Sequence, residues 1–325
     1  MTETHSTEVL AAVTQASLRA PSVFNTQPWR WRIIGDVAEL RADPARQILS
    51  TDPEGRLLLL SCGVVLHHAR VAAAARGRIL AVTLAPQSDD PLLLARFSVA
   101  SVAAPSAEAR RIAAAIDTRR TDRRAFGARQ VDPKLLTMLR TTVEAEGAHL
   151  HLVGGDQVLM LASATSRAAD SERDDPAYRE DLERWTHRPA TAGDGVPLTT
   201  AVRPGGRTVP VRDFAPDGSP PEPGPGTDRG ASYVVVYGLD STTASWLRGG
   251  EALSALLLEA TVAGLSTEPM SDVVEADWPR QLVREMIAGL GEPYVVVRLG
   301  YYEGDEPLPD VPRRDPGDVI EVVQP

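Results

Sequence analysis

The chain contains two long segments that are apolar on almost every side. Residues 57–77 and 245–264 consist largely of alanine, leucine and valine and carry few charges. A helix without a polar face is typical of the centre of a molecule, because no side of it favours contact with water. We therefore expect two buried helices, with His67 and His68 as core residues. The first is interrupted by polar residues and is interpreted as a core helix, not a membrane span.

Shorter elements surround these two helices. Apolar residues at helical spacing predict a first helix over 8–18, and alternation on both sides of Gly35 and Asp36 predicts a hairpin over 29–42. The same patterns predict helices at 108–117, 133–143, 158–170, 178–185 and 278–290, and strands at 79–84, 93–101, 150–153, 233–238 and 294–300.

A Pro/Gly-rich segment, residues 186–230, breaks this pattern. Proline and glycine supply 17 of its 45 residues, too many for a helix or a strand to persist. Loops of this length are usually functional lids or disordered insertions. Tyr178, His187 and Arg188 flank the segment and are candidate substrate contacts.

The two long helices align with each other without a gap. The matched positions are Gly63, Leu66, Ala73 and Gly77 in the first and Gly250, Leu253, Ala260 and Gly264 in the second. Chance similarity between two alanine- and leucine-rich helices would produce four matches, but helices and strands also follow in the same order, which favours a duplication. The two halves would be 1–103 and 104–325, packed as a pseudo-symmetric dimer within one chain.

Bulk composition restricts the function. The formal net charge of -10 argues against nucleic-acid and anionic-membrane partners, which require basic surfaces. Cys62 is the only cysteine, so neither a disulfide framework nor a thiolate metal site is expected, and the histidines lack metal-ligand spacing. Residues 1–10 contain no basic or apolar region of a secretory signal, and we expect a cytoplasmic protein.

Residues 20–28, termed the first loop, are a candidate binding loop. Pro21 and Pro28 restrict the backbone at its two ends, and the side chains between them are rich in hydroxyls and amides. Such donors and acceptors suit the polar edge of a planar heterocycle. A polar turn that leads into an edge strand is the alternative interpretation.

Residues 119–126, termed the arginine segment, concentrate positive charge in an acidic chain. Arg119, Arg120, Arg123 and Arg124 lie within six residues, beside the hydroxyl of Thr121. Guanidinium groups bind phosphate through parallel donors, so an anion site is one interpretation. A surface network in which Asp117 and Asp122 neutralise the arginines is the other.

Three stretches together resemble the FMN-dependent nitroreductase family. APSVFNTQPW is similar to the family motif APSxxNxQPW, and RRTDRRAF is similar to its phosphate-binding motif RRSxRxF, with one extra residue before the phenylalanine. GLSTEPMSDVVE, residues 264–275, looks like the loop that passes along the flavin edge in that family. Their order and the chain length most closely resemble the Acg-type subgroup of fused nitroreductase-like proteins.

The resemblance implies an α+β, three-layer nitroreductase-like fold in which two tandem half-units form an intramolecular pseudo-dimer. Only one pairing of the two motifs is present, which implies one FMN per chain and a second, decayed site. The implied cofactor-binding residues are Ser22, Val23, Asn25, Gln27, Arg119, Arg120, Thr121, Arg123, Arg124, Pro269, Met270 and Ser271. The extra residue leaves open which arginines contact the phosphate. No catalytic side chain is implied, because the flavin itself carries the hydride.

The resemblance leaves more than one function open. One is NAD(P)H-dependent reduction of nitroaromatic or quinone-type acceptors by a monomeric protein. Another is a flavin-sequestering stress or dormancy protein, in which the Pro/Gly-rich segment is a lid that occludes FMN. A flavin-free adaptor on the same fold is a third.

Overall fold

The computed structural model describes residues 3–186 and 188–323, so His187 lies outside the described residues. The helices are α1 (Glu3–Ser17), α2 (Arg56–Ala75), α3 (Ala107–Thr118), α4 (Pro133–Ala145), α5 (Val158–Asp174), α6 (Pro176–Thr186), α7 (Thr243–Val262), α8 (Asp272–Glu275), α9 (Asp277–Met286) and α10 (Pro316–Val319). The strands are β1 (Trp29–Ile34), β2 (Val37–Ala42), β3 (Arg78–Leu84), β4 (Leu93–Val102), β5 (His149–Leu152), β6 (Ser232–Gly238), β7 (Ser266–Met270), β8 (Glu292–Gly300) and β9 (Ile320–Val323).

The strands form two sheets around a helical centre. One sheet has five strands in the order β3-β4-β2-β1-β9, and the other has four in the order β5-β6-β8-β7. Neighbouring strands run antiparallel except for the parallel pair β1 and β9. Each predicted strand and each predicted helix is present, with ends shifted by a few residues, and the α+β class is confirmed.

The two apolar helices α2 and α7 pack against each other at the centre. At their crossing a Cβ atom on Gly63 would lie 2.0 Å from the carbonyl oxygen of Leu247, and one on Gly250 would lie 2.0 Å from the carbonyl oxygen of Leu60. The backbones therefore meet where both helices lack a side chain. Helix α2 is long and apolar enough to cross a membrane, but 78% of its most apolar window is buried inside the protein, as expected for a core helix.

The central helix pair also buries two histidines against one hydroxyl. The Nδ1 atoms of His67 and His68 lie 2.8 Å and 2.9 Å from Ser254 Oγ. Burial lowers the pKa of His67 to about 4 and, together with the charge of Arg119, lowers the pKa of His68 well below its usual value. Both imidazoles are therefore neutral in the folded protein near pH 7, and they are core residues as expected.

We predict that this histidine pair makes folding sensitive to acid. Because the folded-state pKa is depressed, the unfolded chain binds protons first as pH falls, so stability is lost from about pH 6.5 down to about 4. The loss from His67 alone should approach about 3 kcal/mol at pH 4. Urea titrations of wild type and His67→Gln between pH 7 and 4 test this: the variant should lose less stability over that range. Parallel pH profiles would contradict the prediction.

Residues 264–275, which resemble a flavin-edge loop of the nitroreductase family, contain regular secondary structure. Residues 266–270 form β7, which pairs antiparallel with β8, and residues 272–275 form the short helix α8. Pro269 disfavours a strand because it lacks a backbone donor, but β7 lies at the edge of its sheet, where one backbone side needs no strand partner. Strand β9 was also missed, because four residues after a proline-rich stretch give too short an alternation.

The Pro/Gly-rich segment has an ordered apolar anchor. After Thr186, which ends α6, its described residues form no α-helix or strand and contain two short 3-10 turns, Ala190–Ala192 and Leu198–Thr200, as predicted for a long loop. Its apolar side chains join a small core that is separate from the central one and contains Phe24, Ile48, Tyr178, Leu182, Trp185, Val196, Ala201 and Phe214. Tyr178 is thus packed in this core, and Arg188 is paired with Asp194.

Candidate functional site

A cavity of about 630 Å³ lies where the first loop, the start of α2, the arginine segment and the end of β7 meet. One part of its wall is apolar, and its residues come from both ends of the chain: Val23, Leu57, Leu60, Val64, Leu253 and Val295. A second cavity of about 400 Å³ shares Pro21, Ser22, Thr121 and Arg123 with the first and adds Arg119 and Arg313. The combined site therefore has an apolar end and a cationic end.

The first loop is held in a strained conformation at the edge of this site. Phe24, Asn25 and Gln27 have φ values of 46°, 53° and 51°, in the left-handed region that non-glycine residues rarely occupy. Such strain persists only where surrounding contacts fix the backbone. The backbone N–H of Gln27 donates to Ser22 Oγ at 2.8 Å, and the backbone N–H of Val23 donates to Ser61 Oγ at 3.3 Å.

Asn25 and Gln27 contact protein backbone. The Asn25 amide donates to the carbonyl oxygens of Gly195 and Pro312 at 3.0 Å and 3.1 Å. The side-chain amide of Gln27 donates to the carbonyl oxygen of Gly193 at 2.8 Å, and its oxygen Oε1 accepts from the backbone N–H of Arg314 at 3.0 Å. These two side chains bind the Pro/Gly-rich segment and the C-terminal segment to the first loop. Asn25 also lines the cationic end of the site, whereas Gln27 does not.

The structure separates the four clustered arginines into two pairs. Arg119 and Arg123 line the site together with Thr121. Arg120 pairs with Asp310. Arg124 donates from Nε to Asp122 at 2.9 Å, which is the expected arginine–aspartate pairing, but Asp122 is 1% exposed and the pair is not a surface network.

Arg119 is a buried cation without a partner among the described residues. It is 3% exposed, and its Nε and one terminal nitrogen have no hydrogen-bond partner in that part of the chain. Burial and the charges of Arg313, Arg120 and Arg19 lower its pKa to about 9. Burial likewise lowers the pKa of Arg123 and of Arg313 to about 10. All three remain charged at neutral pH, and a bound anion would remove this unfavourable concentration of charge.

A fully buried arginine on β8 positions the arginine segment. Arg298 donates to the carbonyl oxygens of Asp122 and Arg124 at 3.1 Å and 2.8 Å and to the carboxylate of Asp228 at 2.7 Å and 2.6 Å. The Asp122 amide donates to the carbonyl oxygen of Thr267 on β7 at 2.9 Å. These bonds fix the direction of the backbone and hence which arginines face the site.

The Pro/Gly-rich segment forms part of the cavity wall through Arg212 and Phe214. The Phe214 ring meets Phe24 edge to face at 5.3 Å and lies 4.4 Å from the Arg123 guanidinium carbon. Arg212 donates to Glu172 at 2.7 Å and to Glu275 at 2.6 Å. The Arg123 guanidinium also donates to the carbonyl oxygen of Thr200 at 3.1 Å. The segment is thus tied to both ends of the site.

Residues 264–275 contribute side chains both to the cavity and to the core. Pro269 and Ser271 line the cavity, and the Ser271 hydroxyl donates to Glu275 at 2.7 Å. Met270 is 4% exposed and points into the core, because alternate residues of β7 face opposite sides of the sheet.

Full-length relatives settle the family. No family model matches the chain. Over 320 residues the chain is 36% identical to a Mycobacterium tuberculosis protein named as an NAD(P)H nitroreductase, acg, with 97% of this chain and 96% of that protein covered. The chain belongs to the Acg-type nitroreductase family. A second M. tuberculosis protein, named as the NAD(P)H nitroreductase Rv3131, is 34% identical over 319 residues, with 97% and 91% covered.

Solved nitroreductases are more distant from this Acg-type chain. The FMN and NADPH-dependent nitroreductase NfnB from sphigopyxis sp. strain HMH is 16% identical, with a TM-score of 0.40 over 65% of this chain and 97% of that one. A nitroreductase with bound FMN from Desulfitobacterium hafniense DCB-2 is 14% identical, with a TM-score of 0.41 over 66% and 98%. The family assignment rests on the relatives that match along almost the whole sequence.

Several site residues of this Acg-type protein were not predicted from the sequence. Arg298 had a usable signal, since a lone charge within the buried run YVVVRLG needs partners. Arg212, Phe214 and Arg313 had none, because they lie in irregular segments without periodicity. Ser61 and the apolar wall of α2 were assigned only to the core.

Proposed function

We propose that the site binds one FMN between the two halves of the chain and that the protein is an NAD(P)H-dependent oxidoreductase. The observation that carries this proposal is the pair Arg119 and Arg123, of which the first is buried without a partner, beside an apolar cavity. Arginine donors suit the FMN phosphate, and a cavity walled by leucine and valine suits a flat, largely apolar ring system. The motif resemblance and the family assignment support the same cofactor.

The side chains have distinct proposed tasks. Arg119, Arg123 and Arg313 neutralise the phosphate, and the hydroxyls of Ser22 and Thr121 complete its hydrogen bonds. Leu57, Leu60 and Val64 exclude water from the ring. FMN, when bound, supplies hydride transfer between NAD(P)H and an electron-poor acceptor such as a nitroaromatic or a quinone.

One cofactor per chain is supported by the residues at the position on α7 that corresponds to the cavity wall on α2. The helix alignment pairs Val64, which lines the cavity, with Glu251 on α7. Glu251 is 5% exposed and accepts from the Arg70 guanidinium at 2.8 Å, and Arg70 also binds Glu146. A buried carboxylate paired with a half-buried arginine thus lies where a second site would need an apolar wall. We propose that the halves arose by duplication, that this second site has decayed, and that the chain is a monomer.

A specific contact also favours the second candidate, flavin sequestration. Phe214 is 8% exposed and packs on Phe24 and Arg123, so the Pro/Gly-rich segment restricts access to the cavity. A segment with its own apolar anchor opens slowly, because opening exposes that core. A nicotinamide would then be kept from the ring.

Anaerobic titration of the purified protein separates the two candidates. The enzyme proposal expects flavin absorbance to bleach with NADH or NADPH and to return on addition of a nitroaromatic. Bleaching by dithionite alone would support sequestration, and Phe214→Ala should then restore reduction by NAD(P)H. Light scattering with flavin quantification tests the stoichiometry. An obligate dimer of two chains that binds two flavins at the interface between the chains would contradict the monomer proposal.

A further inference from the structure

A third cavity, of about 380 Å³ and termed the acidic cavity, lies behind the wall of the candidate flavin site. It is bounded by Ser50 and Thr51 before α2, by the end of α5 and the start of α6, and by α8. Arg212 and Ser271 line the apolar end of the flavin site, and both donate to Glu275, which lines the acidic cavity. These hydrogen bonds separate the two spaces.

Carboxylates outnumber cations around the acidic cavity. Its wall contains Glu172, Asp175, Asp272 and Glu275, and Arg212 donates to only the first and last of these through one terminal nitrogen. The Asp175 carboxylate accepts from the Ala177 amide at 2.8 Å. Burial and the neighbouring carboxylates of Glu275 and Glu268, only partly offset by Arg212, raise the pKa of Asp272 to about 6. Burial and the carboxylates of Glu275 and Asp272, partly offset by Arg212, raise the pKa of Glu172 to about 8, so this carboxyl is largely protonated at neutral pH. The remaining acidic side chains of the wall still outnumber Arg212, which leaves the cavity with an excess of negative charge.

A buried hydroxyl at the cavity has no partner in the part of the chain that the structure describes. Thr51 is 7% exposed and lines the cavity, and its Oγ1 makes no hydrogen bond within residues 3–186 and 188–323. An orphan hydroxyl that is more than nine-tenths buried is destabilising unless a ligand or a water satisfies it. Thr51 lines the same cavity as Asp272 and Glu172, so its oxygen is a further acceptor in a wall rich in carboxyl groups. This observation is independent of the charge count and also points to a donor-bearing ligand.

We propose that this cavity binds a small organic cation with several N–H donors, an alkylammonium or a guanidinium group. Asp272, Glu172 and Thr51 Oγ1 are the acceptors in the cavity wall to which such a group would donate. Within residues 3–186 and 188–323 no three His, Cys, Asp or Glu side chains are arranged to hold a metal ion, so the site favours a hydrogen-bonding cation over a divalent metal. The proposal does not depend on flavin binding.

Calorimetric titration of the full chain with methylguanidinium chloride and with 1,4-diaminobutane tests the proposal. We expect saturable binding with one site per chain for at least one of the two. Asp272→Asn should weaken it by about tenfold, the effect of losing one charge-assisted hydrogen bond, and the near-isosteric Thr51→Val should weaken it by about threefold. Tetramethylammonium, which has no N–H donor, should not bind at the same ionic strength.

The matched control is Asp174→Asn, which removes an exposed carboxylate one residue from Asp175 but outside the cavity wall. It should change affinity by less than about twofold, because exposed charges are screened. If Asp174→Asn and Asp272→Asn weaken cation binding equally, the binding is a non-specific attraction to negative charge, and the proposed site is wrong. Absence of saturable binding to the folded wild type, or tighter binding of Mg²⁺ than of both amines, would overturn it as well. Circular dichroism confirms that each variant is folded.

Discussion

Arg119→Met is expected to abolish retention of FMN during purification. The wild-type guanidinium is buried without a partner at the cationic end of the cavity, so its donors are available to the phosphate. Losing two charge-assisted hydrogen bonds should weaken FMN binding by at least about 100-fold. Methionine keeps most of the apolar stem and removes an unpaired buried charge, so the flavin-free variant should be at least as stable as the flavin-free wild type.

Arg120→Met is the matched control for this prediction. Arg120 is adjacent in sequence but donates to the carbonyl oxygen of Asp117 at 2.8 Å and pairs with Asp310. Its replacement should change the dissociation constant of FMN by less than about threefold, through long-range charge alone. Fluorescence titration of apoprotein with FMN gives both constants. An equal loss of FMN affinity in the two variants would contradict the prediction, because it would mean that Arg119 and Arg120 contribute alike to phosphate binding.

Gly63→Ala is expected to destabilise the whole chain by about 2–4 kcal/mol. In an isolated helix the same change would stabilise by about 1 kcal/mol, so the sign of the result is informative. Here the new Cβ would lie 2.0 Å from the carbonyl oxygen of Leu247, which belongs to rigid helix backbone and cannot move aside. The helices must separate, and packing along the central crossing is lost.

Urea unfolding with circular dichroism measures this effect. Gly155→Ala is the control, since an added Cβ there meets nothing within 4 Å, and its effect should stay within about 0.5 kcal/mol. A stable Gly63→Ala variant would mean that α2 and α7 can move apart at little cost.

The central part of the fold could be predicted because its sequence signal is local and repeated. Two helices without a polar face, with glycines at matched positions, already indicated a buried helix pair, and Gly63 and Gly250 lie at that crossing. The motif residues of the first loop and of the arginine segment were likewise brought together. The chemistry of a short motif survives in sequence because the residue types themselves are specific.

The direction of each side chain could not be predicted. The sequence does not distinguish the four neighbouring arginines from one another. Only the backbone path, which Arg298 and Thr267 fix, directs Arg119 and Arg123 toward the site. Asn25 and Gln27, both expected at the cofactor, bond to distant backbone at Gly195 and Gly193 respectively, and Asn25 also lines the cationic end of the site. Contacts between segments so far apart leave no periodic trace in the sequence.

Strand β9 has a consequence for how this chain folds. Its residues 320–323 pair with residues 31–34 of β1, so one edge of the first sheet is completed by a segment 289 positions further along the chain. Until β9 is in place that edge stays open, and an open edge can pair with another chain. Long-range parallel pairing of this kind also forms slowly. The dependence of refolding on protein concentration should therefore be strongest before β9 is in place.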